Sequence, residues 1–293
     1  MLFSDARLRL RSLFLTGALL AAFFLSGCGA MMRSVTADLS NDLSQAVLNN
    51  NDLATVATGG AAFLLLVDGL LVGDPDSPAL LMTAANLHSQ YASNFASDPE
   101  QARNLSQKAM DYARRAFCFR TKGDCRLQSV GFQEFKTLID AMDSKDVPAL
   151  YTLGTAWTSW IQVRRDDWAA IADLPRVGAI MERVAALDEQ YEDGGAHMYL
   201  GVFATLVPPV AGGDPEVGRG HFERALELAG DRNLMIYVLY AQYYARMVFD
   251  RELHDRLLTR TLELDPSVPG YVLVNTAAQK QARALLDSAE DYF

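Results

Sequence analysis

The chain has 293 residues, half of them hydrophobic, and a formal net charge of −10. It is too apolar for a disordered segment, and it is long enough for one large core or a repeat array. An acidic body argues against nucleic acid and against anionic lipid surfaces as partners.

The first element is a leader. Arg7, Arg9 and Arg11 precede an apolar run from Ser12 to Phe24, and Leu25-Ser26-Gly27-Cys28 closes it. That layout predicts a secretory signal over residues 1–27. The run has about 13 residues, fewer than the ~20 that a membrane-spanning helix needs. Its last four residues are similar to a bacterial lipobox, which makes Cys28 the lipidated first residue of the exported chain. Several acyl chains hold a domain where one alone does not. Gly29, not Asp, follows Cys28, which in such lipoproteins directs the chain to the periplasmic face of the outer membrane. Residues 28–36 then form a tether and 37–293 the folded domain. Removing the signal, with its three arginines and Asp5, leaves the remainder two charges more negative than the whole.

Downstream, apolar residues recur at three- and four-residue steps, as in Ala102, Leu105, Ala109, Tyr112, Ala113 and Ala116. This predicts helices over 35–49, 52–72, 78–95, 99–118, 131–143, 147–164, 175–189, 194–206, 215–229, 233–247, 250–264 and 268–290. No stretch alternates with a two-residue period, so no sheet is expected. Asp-Pro at 74–75, 98–99, 214–215 and 265–266, and Ser77-Pro78, read as helix starts: the polar side chain caps orphan N–H groups and Pro occupies the first helical position. All ten prolines fall at predicted boundaries. Short links imply antiparallel neighbours, and the fold class is all-α.

Within this series, residues 53–72 are almost wholly apolar but carry Asp68 and Gly59, Gly60 and Gly69. The run is short for a second span and is charged, so it reads as a core helix, or as one facing an apolar cavity or an oligomer interface. Leu153-Gly154 and Leu200-Gly201 each lie in a first helix, followed by a second carrying Ile180 to Leu187, or Phe222, Ala225 and Leu226. Small residues there let paired helices approach. The arrangement resembles tetratricopeptide repeats, though at 47 residues rather than the usual 34, and predicts a divergent helical solenoid.

Residues with chemistry are few. Cys118 and Cys125 are the remaining cysteines, and an exported pair this close reads as a disulfide. No His or further Cys stands at metal-ligand spacing beside them. His88, His197, His221 and His254 form no H-E-x-x-H pattern, and no serine-hydrolase, Walker or dinucleotide motif is present. No catalytic residue, cofactor or metal is expected. Aromatics offer the one pointer to a ligand. Trp157 and Trp160 are one turn apart, and Tyr237, Tyr240 and Tyr244 share a helical stripe. Such stripes form either core or the wall of an apolar cleft or pore. The expectation from the wall reading is that Tyr240→Ala costs under about 2 kcal/mol and reduces binding of an apolar probe, whereas core would cost 3 or more.

Several segments together resemble one family. They are Phe63 to Leu71, Leu80 to Ala92, Pro99 to Arg115, Gly212-Gly213-Asp214-Pro215 with His221 to Leu226, Asn233-Leu234 ahead of the Tyr-rich helix, and Asn275, Ala278, Arg283, Leu285 and Leu286. The resemblance is to TatT, the T component of tripartite ATP-independent periplasmic (TRAP) transporters, over most of the exported chain. It implies a non-enzymatic, tetratricopeptide-like lipoprotein that assembles as a homotrimer. It further implies engagement of the transporter's periplasmic solute-binding protein and relay of a hydrophobic organic solute. A helical-repeat scaffold for outer-membrane or cell-wall assembly shares the leader and the helices and stands as the alternative.

Overall fold

The computed structural model describes Asp42, residues 44–121, Leu127 and residues 129–293. The signal, Cys28, most of the tether-proximal segment and Cys125 lie outside the described residues. So does most of the helix expected over 35–49.

Helices begin where short acceptors stand. Asp52 accepts from the N–H groups of Ala54 and Thr55 to open α1 (Leu53–Gly73). Ser77 and Asp98 open α2 (Pro78–Asn94) and α3 (Pro99–Arg120), each with proline in the first turn. Helices α4 (Phe132–Asp140), α5 (Val147–Gln162), α7 (Leu174–Leu187), α8 (Gly195–Ala204), α9 (Pro215–Ala229) and α11 (Arg251–Glu263) fall where the periodicity puts them. No strand occurs among the described residues, so the chain is all-α.

Local chemistry accounts for the departures. Asp74 does not start a helix; its N–H donates to the Leu70 carbonyl and ends α1. Asp265 makes a turn, accepting from Ser267 N–H at 2.9 Å. The last long helix, α12 (Val272–Asp287), starts four residues later than the pattern predicts. Pro266 and Pro269 lack N–H groups, and Gly270 at φ +84° leaves the right-handed helical region. The helix expected over 131–143 stops at Asp140, because Asp143 and Asp146 form a capping box for a 3-10 turn, Ser144–Asp146. A short α6 (Trp168–Ile171), capped by Asp167, is additional, and α13 (Ala289–Tyr292) follows α12 after a break at Ser288. The helix expected over 233–247 is split: α10 (Met235–Leu239) passes into a π-helical segment, Tyr240–Ala245.

Residues 44–293 form one compact unit. Elements pack chiefly on their sequence neighbours: α1 on α2, α2 on α3, α5 across both, α7 on α5, α8 on α7 and α9 on α8, with the π segment, α11 and α12 completing the series. The ends also meet, since α12 touches α1 and Gly270 N–H donates to Asn49 Oδ1 at 2.7 Å. The interior is two apolar clusters, one from Val67 to Leu200 and one from Phe222 to Leu285.

The two Leu-Gly pairs do what their spacing suggests. A Cβ on Gly201 would sit 2.9–3.0 Å from the Phe222 ring, so only glycine admits that ring against α8. A Cβ on Gly154 would sit 2.5 Å from Met181 Cε and 3.1 Å from Ile180 Cγ2, the same device between α5 and α7.

Helix α1 departs from the core-helix expectation. Only Val56, Leu64, Val67 and Leu71 are buried, and Leu65, Leu66 and Val72 are exposed. It is long and apolar enough to cross a membrane by length and composition alone, yet Asp68 ties it to the array. The carboxylate accepts from Lys108 Nζ and from Tyr112 OH, the latter at 2.7 Å, and lies 3.5 Å from His88 Nε2. Burial would raise this carboxyl, but the Lys108 and Tyr112 hydrogen bonds outweigh it and hold it below its ordinary value.

Candidate functional site

The aromatic residues singled out by spacing divide between the two cores. Trp157 is fully buried in the first, edge-on to Phe135 at 5.9 Å, with Nε1 donating to Asp173 at 3.2 Å. Trp160 packs against the same cluster; its Nε1 donates to Gln107 at 2.7 Å, and the Arg164 guanidinium lies 4.5 Å from its ring. Tyr240 and Tyr244 are buried in the second cluster, and Tyr237 packs on it. Tyr240 stacks on Phe222 at 5.1 Å and donates to Glu223 at 3.3 Å. Tyr244 donates to Glu216 and Tyr237 to Asp231. Burial, reinforced by those carboxylates, raises all three phenols, so each stays a protonated donor. The tryptophans and the tyrosines therefore do not share one wall.

At the end of the π segment Arg246 N–H donates to the Ala241 carbonyl, and beyond it Asp250 N–H donates to that of Ala245, five residues back in each case. Tyr240 and Tyr244 turn into the core, whereas Gln242, Tyr243 and Met247 face a groove. Thr205, Pro208 and Tyr292 complete its lining, around about 310 Å³. No lining residue is charged. Thr205 Oγ1 is held by the Gly201 carbonyl at 2.7 Å, and the Gln242 carbonyl accepts from Gln281 at 2.7 Å. The site thus offers apolar surface with neutral hydroxyl and amide groups.

Several apolar side chains are exposed: Leu206 and Val207, adjoining the lining residues Thr205 and Pro208 in the chain, Val248 and Phe249, which follow Met247, and, not adjoining the lining, Val210 and Val217. Val210 is 98% exposed. Phe249 holds φ +56°, a left-handed conformation uncommon for a bulky residue. It stacks on Tyr292 at 5.9 Å, and Arg246 lies 4.7 Å over the other aromatic partner in that stack, Tyr292. Periodicity marks the stripe Tyr237, Tyr240 and Tyr244, which packs on the second core, whereas the groove residues Gln242 and Tyr243 lie off that stripe; the groove's only sequence signal is the apolar Val207-Pro-Pro-Val210 loop.

The histidines serve packing and hydrogen bonding. Burial lowers His88, whose Nδ1 is 2.8 Å from the Ala84 carbonyl. His254 is buried between Asp255 and Arg246. His197 and His221 approach Nδ1 to Nδ1 at 2.8 Å, and His197 Nε2 reaches Glu189 at 3.1 Å. Arg224 grips Glu189 with two hydrogen bonds and pulls its carboxyl down to about 2. Among the described residues no group of three His, Cys, Asp or Glu could hold a metal ion. Cys118 lies near the end of α3, and Cys125 is outside the described residues.

The groove and both cores lie within a segment, residues 49–293, that matches the sequence model of the family described as TRAP transporter T-component. The chain belongs to that family. No curated protein matches it. As a T-component it is an auxiliary part of a TRAP transport system, associated with the cell envelope, and a transport protein rather than an enzyme.

Proposed function

We propose that this T-component is anchored by lipid at Cys28 to the periplasmic face of the outer membrane and assembles as a homotrimer. It engages the periplasmic solute-binding protein of its transporter through the apolar surface around the groove, and the groove passes on a hydrophobic organic solute. The observation that supports this reading is an open groove without a charged lining residue, with the exposed Leu206 and Val207 adjoining it in the chain and the exposed Phe249 stacked on its Tyr292. Contiguous exposed apolar patches mark interaction sites, and π-helical turns recur at functional positions. The ligand surface is thereby assigned to Tyr243 and Gln242 rather than to Tyr240 and Tyr244. A Cys118–Cys125 bridge belongs to the same reading, because an exported chain meets oxidising conditions.

Cross-linking in cells tests it. The unaltered protein should capture a TRAP solute-binding protein, and Val210→Glu with Val217→Glu should abolish capture while leaving helicity unchanged, since both side chains are exposed. Capture of outer-membrane assembly proteins alone, in both forms, would instead favour the scaffold function.

A further inference from the structure

The groove of Thr205, Pro208, Gln242, Tyr243, Met247 and Tyr292 has spent most of its own hydrogen-bonding capacity. Thr205 Oγ1 donates to the Gly201 carbonyl at 2.7 Å, and Tyr292 OH to the Arg246 carbonyl at 3.3 Å, so toward a ligand both hydroxyls can only accept. Pro208 and Met247 bring no side-chain donor. Gln242 Oε1 takes the Gln281 amide at 2.7 Å. The Gln242 Nε2–H groups and the Tyr243 hydroxyl are left as lining donors with no partner among the described residues. We infer that the solute taken by this groove is a neutral apolar molecule bearing a carbonyl or ether oxygen, and that organic anions are excluded. The inference rests on the solute-relay reading above and names its substrate class.

Charge sets the exclusion. An anion in the groove meets no cation on the lining, in a chain of net charge −10. The neighbouring cation, Arg246, is committed elsewhere. Its Nε donates to His254, its Nη2 to the Leu285 carbonyl and to Ser288, and the guanidinium lies 4.7 Å over the Tyr292 ring. A carboxylate placed against the lining exchanges hydration for neutral donors alone, and a charge desolvated without a counter-charge is costly. A cation fares no better. No lining residue is a carboxylate, and the Tyr292 ring already carries Arg246, whose charge repels a second cation there. A bare hydrocarbon would cover the two free donors and leave them unpaired, which costs the desolvation of each. A carbonyl or ether oxygen satisfies them without bringing a charge, while its carbon skeleton covers Pro208, Met247 and the tyrosine rings. The volume of about 310 Å³ lies at the small end for ligand sites, so a single such oxygen matches the donors on offer.

Fluorescence titration of the intact protein, read against a detergent-only blank, tests this with two probes of one ring system. One is prodan, a neutral dimethylaminonaphthyl ketone; the other is the matching dimethylaminonaphthalene carboxylate. Prodan should bind and shift to the blue, and at neutral pH the carboxylate should bind at least about tenfold more weakly. Gln242→Leu should weaken prodan about two- to tenfold, the worth of one hydrogen bond. Tyr243→Phe, which removes a single hydroxyl, repeats that measurement if Gln242→Leu fails to fold. Met247→Lys puts a cation on the lining and should bring the carboxylate level with the ketone. A carboxylate that binds the unaltered protein as tightly as prodan, with both lost in Tyr243→Ala, overturns the neutral-acceptor assignment and leaves the groove as the solute site. Binding of neither probe, or binding that survives Tyr243→Ala, overturns the solute-relay reading of the groove as well.

Discussion

Replacing Tyr240 separates core from binding surface. The side chain is 4% exposed, stacked on Phe222 with ring planes 16° apart, and 5.3 Å from the Tyr244 ring. Truncating a buried aromatic to Ala costs about 3–5 kcal/mol, because the lost burial is compounded by the cavity left behind. The stack on Phe222 places Tyr240 within that range rather than below it, since such pairs are worth about 0.5–1.5 kcal/mol beyond burial. Its hydroxyl adds little: Glu223 is half exposed and 3.3 Å away, so Tyr240→Phe should cost under about 1 kcal/mol. Tyr243 lines the groove, with one side already open, so Tyr243→Ala should cost about 1–2 kcal/mol, less than full burial implies. Urea unfolding followed by far-UV circular dichroism gives the stabilities, and an apolar fluorescent probe reports the groove. Tyr240→Ala should lose stability, and Tyr243→Ala should lose probe binding. A loss under about 2 kcal/mol for Tyr240→Ala together with abolished probe binding would refute this division and return the ligand wall to Tyr240.

Gly201→Ala should cost about 1–3 kcal/mol by urea unfolding, since the new Cβ meets a rigid, buried ring. Gly154→Ala should be nearly neutral, because the flexible end of Met181 can move and Ala gains helix propensity; equal costs at the two sites would count against helix approach set by ring packing. Burial, and His197 beside it, hold the His221 imidazole below its ordinary 6.5. As pH falls below that value the unfolded chain takes up the proton before the folded one, so stability drops on acidification. His221→Asn should flatten the drop between about pH 7 and pH 5, leaving the share due to His88, which is lowered in the same way; urea midpoints at the two pH values would show it, and an unchanged slope would exclude His221 as a source. Glu189 adds nothing in that window, since its contribution is lost only as pH falls from 4.5 toward 2. Exported protein purified without reductant should leave Cys118 and Cys125 unreactive to a thiol probe, and labelling of both in the folded state would rule out the bridge.

Much of the architecture is written locally. Apolar residues three and four apart, with Asp98, Ser77 and Asp214 ahead of prolines, place the starts of α2, α3 and α9 at the residue where each begins, because capping and periodicity act over single turns. The Leu-Gly pairs likewise name the positions where helices touch, since the absence of a Cβ is a property of the residue itself. What local chemistry does not determine is which stripe faces what. Asp74 and Asp265 carry the same Asp-Pro signal as Asp98, yet one ends a helix and the other makes a turn. The apolar α1 reads as core, but packing leaves its outer face bare, and only four of its residues are fully buried. The π turn is the clearest case. The stripe Tyr237, Tyr240 and Tyr244 is legible and packs on the second core, yet Met247, which a continuous helix would add to that stripe, lines the groove with Gln242 and Tyr243. Which stripe becomes core is decided by packing such as Tyr240 on Phe222 and the other contacts of the second core, which are contacts between helices. A helical period taken along one segment cannot contain them.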